Sequence, residues 1–152
     1  MWRRSRMKRK QQPRASDPVD LAAQALRHRD RSRRQIDERL ARAGVEDELR
    51  ADALDALERI GYVDDARFAA QRAESLAGRG YGDEAISALL AADGVPPGVA
   101  AEAVGALRPE ADRAAEIVAS LGASPRTAAR LARKGFGEDA VEAAAGKFAT
   151  DG

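Results

Sequence analysis

The sequence predicts an all-α protein, an elongated array of three tandem three-helix modules. Three observations predict it. Helix caps and stops recur along most of the 152 residues, no segment alternates with period two for long enough to make a strand, and one phrase is written three times. That phrase is "ARAGVEDELRADAL" from Ala41, "AADGVPPGVAAEAV" from Ala91 and "ARKGFGEDAVEAAA" from Ala132.

Residues 1–16 show no apolar periodicity and read as a disordered basic arm. A helix over 18–29 opens at Asp17-Pro18, a capping residue before a proline at the first helical position. The next, 33–42, begins behind Ser32, with Gln35 three residues on completing a capping box. A helix over 47–59 follows the Gly44 corner. Asp64 caps 65–77, with Val63 and Phe68 placed to staple its entry. A helix over 83–92 starts after Gly82, Pro97 and Pro109 begin 97–107 and 110–121, and Ser124-Pro125 repeats the cap-then-proline signal for 125–133. The last helix covers 138–148. Gly44, Gly61, Gly94, Gly122 and Gly135 fall where helices should stop.

Aligning the three phrases on Gly44, Gly94 and Gly135 exposes the repeat. Four residues earlier stand Leu40, Leu90 and Leu131, and eight earlier Ile36, Ile86 and the weaker Thr127. Directly after come Val45, Val95 and Phe136; five after come Leu49, Val99 and Ala140; thirteen after come Leu57, Leu107 and Phe148. Spacings of four place such residues on one helix face, and a glycine permits the left-handed turn between helices. Each unit is a helix, a glycine corner and a second helix, preceded by a further helix. The expected organisation is an arm over 1–16 and modules over 17–60, 61–108 and 109–149. Small bundles joined end to end suit a long surface better than a small ligand.

Composition narrows the function. Hydrophobic residues make up 44% but aromatics only 4%, so the core is built of small side chains that do not readily wall a deep pocket. Cysteine is absent, which removes disulfides, thiolate nucleophiles and Cys-ligated metals, and fits a reducing compartment. The longest nearly apolar run, Ala85 to Ala92, is far short of the ~20 residues that span a bilayer. "MWRRSRMKRK" is basic but leads into no apolar stretch. The expectation is a soluble, cytoplasmic monomer with no membrane partner. Charge is polarised: residues 1–34 carry twelve Lys/Arg against Asp17, Asp20 and Asp30, and the remainder is net acidic. A basic end on an acidic body points to a polyanion or an acidic surface as partner.

Catalytic constellations are not expected. His28, the single histidine, lies among arginines with no Cys or second His to join it in a zinc site or triad. "GRGYG" (Gly78 to Gly82) follows a helix rather than a strand and lacks the Gly-Lys-Ser/Thr ending of a phosphate loop, so it reads as a helix stop and restart around Tyr81. Asp64-Asp65 is explained by a helix start. No catalytic residue, metal or cofactor is assigned. Arginine remains. Arg27, Arg29, Arg31, Arg33 and Arg34 cluster near one end, and Arg126, Arg130 and Arg133 share one helix face near the other. Guanidinium rows engage phosphates or carboxylates in pairs of hydrogen bonds, and these eight are the candidate partner or DNA contacts.

The stretches "RSRRQIDERLARAGV" (Arg31 to Val45), "IGYVDDARFA" (Ile60 to Ala69) and "RGYG" (Arg79 to Gly82) resemble RecX, the family of regulators of the bacterial RecA recombinase. Ser32, Ile36, Leu40 and Gly44 match its first pattern, and Asp64, Asp65, Arg67, Phe68 and Ala69 its Asp-Asp-x-Arg-Phe-Ala signature; the resemblance covers about 18–148. It implies a non-enzymatic modulator, without cofactor, that binds RecA filaments on single-stranded DNA. Lodged in the filament groove, such a protein blocks filament growth and lowers ATPase and strand-exchange activity. Where many members follow Tyr-Gly with basic residues, this chain has Asp83 and Glu84, and 83–94 holds no Lys or Arg, which argues against a positive contact by the middle module. Pro96-Pro97-Gly98 also replaces the usual acidic turn with a stiffer one. The alternative is a stand-alone DNA-binding protein that acts through the basic arm and first module.

Overall fold

A computed structural model describes residues 17–27 and 29–146, all helical in their regular structure. Nine α-helices occur among the described residues: α1 (Pro18–Leu26), α2 (Arg33–Arg42), α3 (Asp47–Arg59), α4 (Asp65–Gly78), α5 (Asp83–Ala92), α6 (Pro97–Gly105), α7 (Glu110–Leu121), α8 (Pro125–Arg133) and α9 (Glu138–Ala144). The all-α, multi-module array expected from the sequence is therefore present. The basic arm, His28 and Phe148 lie outside the described residues. No helix among those described is long and apolar enough to cross a membrane.

The chain divides into two compact units, 1–68 and 69–152, so α4 begins in the first and continues into the second. In the first, Ala22, Ala25, Ile36, Leu40, Leu54, Leu57 and Val63 form one core. In the second, Leu131 and Phe136 centre a cluster with Ala114, Ala128 and Ala144. Alanine at the contacts keeps these cores thin, as the composition implies.

Local signals fix most helix starts. The Asp17 carboxylate accepts from Val19 N at 3.0 Å, Ser32 and Gln35 close their capping box, and the Ser124 hydroxyl accepts from Thr127 N at 3.1 Å. Asp64 accepts from Arg67 N at 3.0 Å, and Val63 and Phe68 are both buried. The stops are more uniform than the sequence suggests. At Gly44, Gly94 and Gly135, φ is +87°, +91° and +88°. The next residue's N–H reaches back five positions, Val45 to Leu40, Val95 to Leu90 and Phe136 to Leu131, at 3.0–3.1 Å. This is the Schellman closure. Tyr62 closes on Leu57 and Tyr81 on Leu76 in the same way, so the corner occurs at Gly61 and Gly80 as well. In all five the leucine four residues before the glycine is among the most deeply buried side chains.

Three ends differ from expectation. The first helix stops at Leu26 rather than 29, and the Arg31 guanidinium takes the Ala25 carbonyl at 3.0 Å. The sixth stops at Gly105 rather than 107, although Leu107 is still buried. The last ends at Ala144, with Gly146 at φ +83°, rather than running to 148. Leu49, aligned with the apolar face, is 52% exposed, because it lies a turn before Ala53, Leu54 and Leu57, the residues through which α3 packs.

Candidate functional site

The eight arginines singled out above divide by what already holds them. In the first unit Arg31 is drawn inward onto the Ala25 carbonyl; burial, then the charges of Arg29 and Arg39, lower its pKa from the ordinary value. Arg33 bridges Asp55 and Glu58 of α3, each at 2.9 Å. Burial pushes its pKa down and hydrogen bonds to Glu58 and Asp55 outweigh that, for a net rise. Arg34 pairs with Glu38 one turn on. Arg27, at the C-cap of α1, and Arg29 are exposed and make no ion pair among the described residues.

In the second unit Arg126, Arg130 and Arg133 all lie exposed on α8, and none is paired with a carboxylate among the described residues. The cause is sequence order: Arg130 and Arg133 fall in the last turn, where cations complement the helix dipole, and α8 itself contains no acid. The opposite side of α8 is anchored by buried Thr127, Ala128 and Leu131, which turns the arginines outward.

Two joints position these surfaces, and both use the same device. Asp65, first residue of α4, accepts from Arg33 N at the start of α2 at 2.8 Å. Glu110, first residue of α7, accepts from Asp83 N at the start of α5 at 2.8 Å. A little further along each helix an arginine completes the tie. Arg67 grips both oxygens of Asp30 and the carbonyls of Gly61 and Tyr62, and Asp30 is the leading cause of its raised pKa. Arg113 donates to the carbonyls of Arg108 and Tyr81, each at 2.9 Å, and to the Asp83 carboxylate. Asp64 and Asp65 thus both have structural partners. The sequence does not mark Glu110 and Arg113, because apart from the Arg108 carbonyl their partners lie 27 to 32 residues away.

Glu110 does more than Asp65. Its second oxygen accepts from Gly137 N, the N-cap of α9, at 2.6 Å. Neither α5 nor α9 has a capping side chain of its own, Gly82 and Gly137 standing at those positions. One carboxylate therefore caps two helices. Glu110→Ala is expected to lower the stability of the second unit by about 2 kcal/mol, roughly two cap losses. Asp65→Ala is expected to cost about half that, because the Ser32 capping box still serves α2. Urea denaturation of the two variants checks the ratio.

The "RGYG" turn is the other half of the second joint. Gly82 N donates to the Lys134 carbonyl at 2.8 Å and Glu84 N to that of Gly135 at 3.2 Å, so the N-terminus of α5 sits on the C-terminal corner of α8. The Tyr81 ring carries the Lys134 ammonium 4.2 Å from its centroid and the Arg79 guanidinium at 5.8 Å. Cations over an aromatic face are held electrostatically. This turn is a backbone dock rather than a phosphate loop.

Comparison with known proteins adds an independent line. Residues 64–104 match the family model described as RecX, second three-helix domain. The chain is 31% identical over 146 residues to a protein of Stenotrophomonas maltophilia (strain R551-3) named Regulatory protein RecX, covering 90% of each. A Chromohalobacter salexigens protein of the same name is 41% identical over 128 residues, covering 78% of this chain and 84% of its own. The fold is similar to the crystal structure of RecX from Lactobacillus salivarius, with a TM-score of 0.75 at 14% identity over 89% of this chain and 96% of that one.

Proposed function

Because the chain belongs to the RecX family of regulatory proteins, we propose that it binds RecA filaments on single-stranded DNA and inhibits filament growth, ATPase and strand exchange by occupying the filament groove. The observation that carries the reading is the exposed row Arg126, Arg130 and Arg133, three cations without a carboxylate partner among the described residues. Such a row suits an anionic polymer, whose charge attracts it over distances near the Debye length. Arg27 and Arg29 are the corresponding contacts in the first unit. Arg31, Arg33 and Arg34 are weaker contributors on this reading, because internal partners already hold them. The same reading takes 17–60, 61–108 and 109–149 as successive modules, which the two repeated carboxylate–arginine ties support. It assigns no catalytic role to any residue, and the protein acts in the cytoplasm, where its recombinase partner works.

The test is RecA ATPase on single-stranded DNA with the protein titrated in. The expected result is inhibition at or below equimolar protein. The triple variant R126E/R130E/R133E should need roughly tenfold more protein while keeping its melting temperature, because exposed charges act mainly on association. Absence of inhibition by the parent protein would overturn the reading. Salt-sensitive binding to the oligonucleotide alone, lost on deleting residues 1–16, would favour stand-alone DNA binding instead.

A further inference from the structure

Beside the arginine row, and sharing Arg130 with it, lies a second feature. Arg79 at the end of α4, with Arg130 and Lys134 of the α8 corner, converge on a hollow of about 290 Å³. Its apolar wall is Ile117, Leu121 and Leu131, and no carboxylate among the described residues lines it. None of the three cations is paired with an acid among the described residues. Two of them are held in place: Lys134 and Arg79 both lie against the Tyr81 ring, and the backbone of Lys134 is tied to Gly82. Like charges held together in this way repel one another until an anion arrives between them. Leu121, beside them, is 53% exposed although it is large and apolar.

The combination selects among anionic ligands. A volume at or just below the lower end of small-molecule sites admits one or two side chains rather than a large metabolite. Single-stranded nucleic acid binds where cations track phosphates and free aromatic faces stack bases. The aromatic ring at this place is Tyr81, and its face is already taken by Lys134. What the hollow offers instead is aliphatic wall next to positive charge. We propose that it seats an acidic peptide segment of a partner protein, a carboxylate held among Arg79, Arg130 and Lys134 and an adjoining aliphatic side chain laid on Ile117 and Leu121. This site is separate from the polymer contact, sharing only Arg130 with it.

Fluorescence polarisation with a labelled peptide of alternating Asp and Leu, on the full chain without recombinase or DNA, reads the site directly. Its result therefore does not depend on RecA inhibition. Binding is expected to weaken by about tenfold or more in R79A/K134A and in Leu121→Asp. The second variant alters only an exposed side chain and so guards against a folding defect. A peptide of alternating Ser and Leu should bind at least tenfold less well, and amide shifts on titration should centre on Ser120, Leu121 and Lys134. No binding of the acidic peptide at millimolar concentration would overturn the proposal. So would affinity unchanged in both variants, or displacement of the peptide from these residues by oligo-dT, which would make the hollow a nucleic-acid site.

Discussion

Gly82→Ala is expected to destabilise the second unit by about 3–5 kcal/mol. A Cβ built at this position meets the Gly135 carbonyl group and the Phe136 nitrogen at 2.5 Å, all backbone atoms that cannot rotate away. To admit one methyl, the start of α5 must lift from the corner of α8. That lift breaks the Gly82–Lys134 and Glu84–Gly135 hydrogen bonds, at about 1 kcal/mol net for each. Overpacking in a closed seam adds about 1–3 kcal/mol. The other side of the seam is as tight: a Cβ on Gly135 would run into Ala85, and at φ +88° a side chain is strained whatever the space. Gly98→Ala and Gly105→Ala are the controls. Both positions are helical with nothing within 4 Å of the added carbon, so alanine should stabilise by about 0.5–1 kcal/mol. Thermal melts of the three variants decide the matter, since a change of this size in a chain of this length moves the midpoint by roughly 10 °C. A G82A melt equal to the parent's would mean that the seam is not closed.

The division between what the sequence discloses and what it does not follows the range of the interactions. Every glycine corner aligned from the repeated phrase lies where it was read, because a leucine, three intervening residues and a glycine carry the whole Schellman closure within six residues. Ser32, Asp64 and Ser124 were legible for the same reason: donor and acceptor lie within three positions. The fate of the arginines was not. The sequence offers Arg33 and Arg126 alike as candidate contacts, yet Arg33 meets Asp55 and Glu58 on the next helix while the row begun by Arg126 meets no acid among the described residues. That distinction depends on which helix packs opposite, a tertiary fact with no trace in periodicity. "RGYG" shows both sides. Its glycines read correctly as a stop and a restart, but the reason the second must be glycine is the distant corner at Gly135.

The two ties also explain why charge in this protein does structural work out of proportion to its visibility. A thin core rich in alanine contributes little burial per residue, so helix ends that stay unsatisfied weigh heavily. Asp65 and Glu110 satisfy such ends from a neighbouring helix, and Arg67 and Arg113 fasten the turn that presents them. Asp65, Asp83 and Glu110 are engaged in these ties, and among the described residues no carboxylate pairs with Arg79, Arg126, Arg130, Arg133 or Lys134.

Arg113→Met is expected to cost about 2–4 kcal/mol, and Arg113→Lys not much less. The side chain is 9% exposed, its guanidinium lies 5.9 Å from the Phe136 ring centroid, and its nitrogens serve three acceptors at once. Methionine keeps the volume, so the loss reports hydrogen bonds rather than a cavity. The Arg108 and Tyr81 carbonyls lose a donor, each worth about 1–3 kcal/mol where water does not replace it. Asp83 loses less, because at 40% exposure it is rehydrated, so the full penalty of a broken buried pair does not apply. Lysine restores charge but not the planar fork that reaches three acceptors in different directions. A double-mutant cycle with Asp83→Ala separates the terms. Coupling between the two residues should be about 1 kcal/mol, smaller than the single loss at Arg113, because the carbonyl bonds survive removal of the carboxylate. Coupling as large as the whole Arg113→Met effect would make the pair a simple salt bridge and deny the guanidinium its role in clamping the "RGYG" turn. Loss of stability with little coupling, together with weaker acidic-peptide binding at the hollow beside that turn, is the outcome the geometry requires.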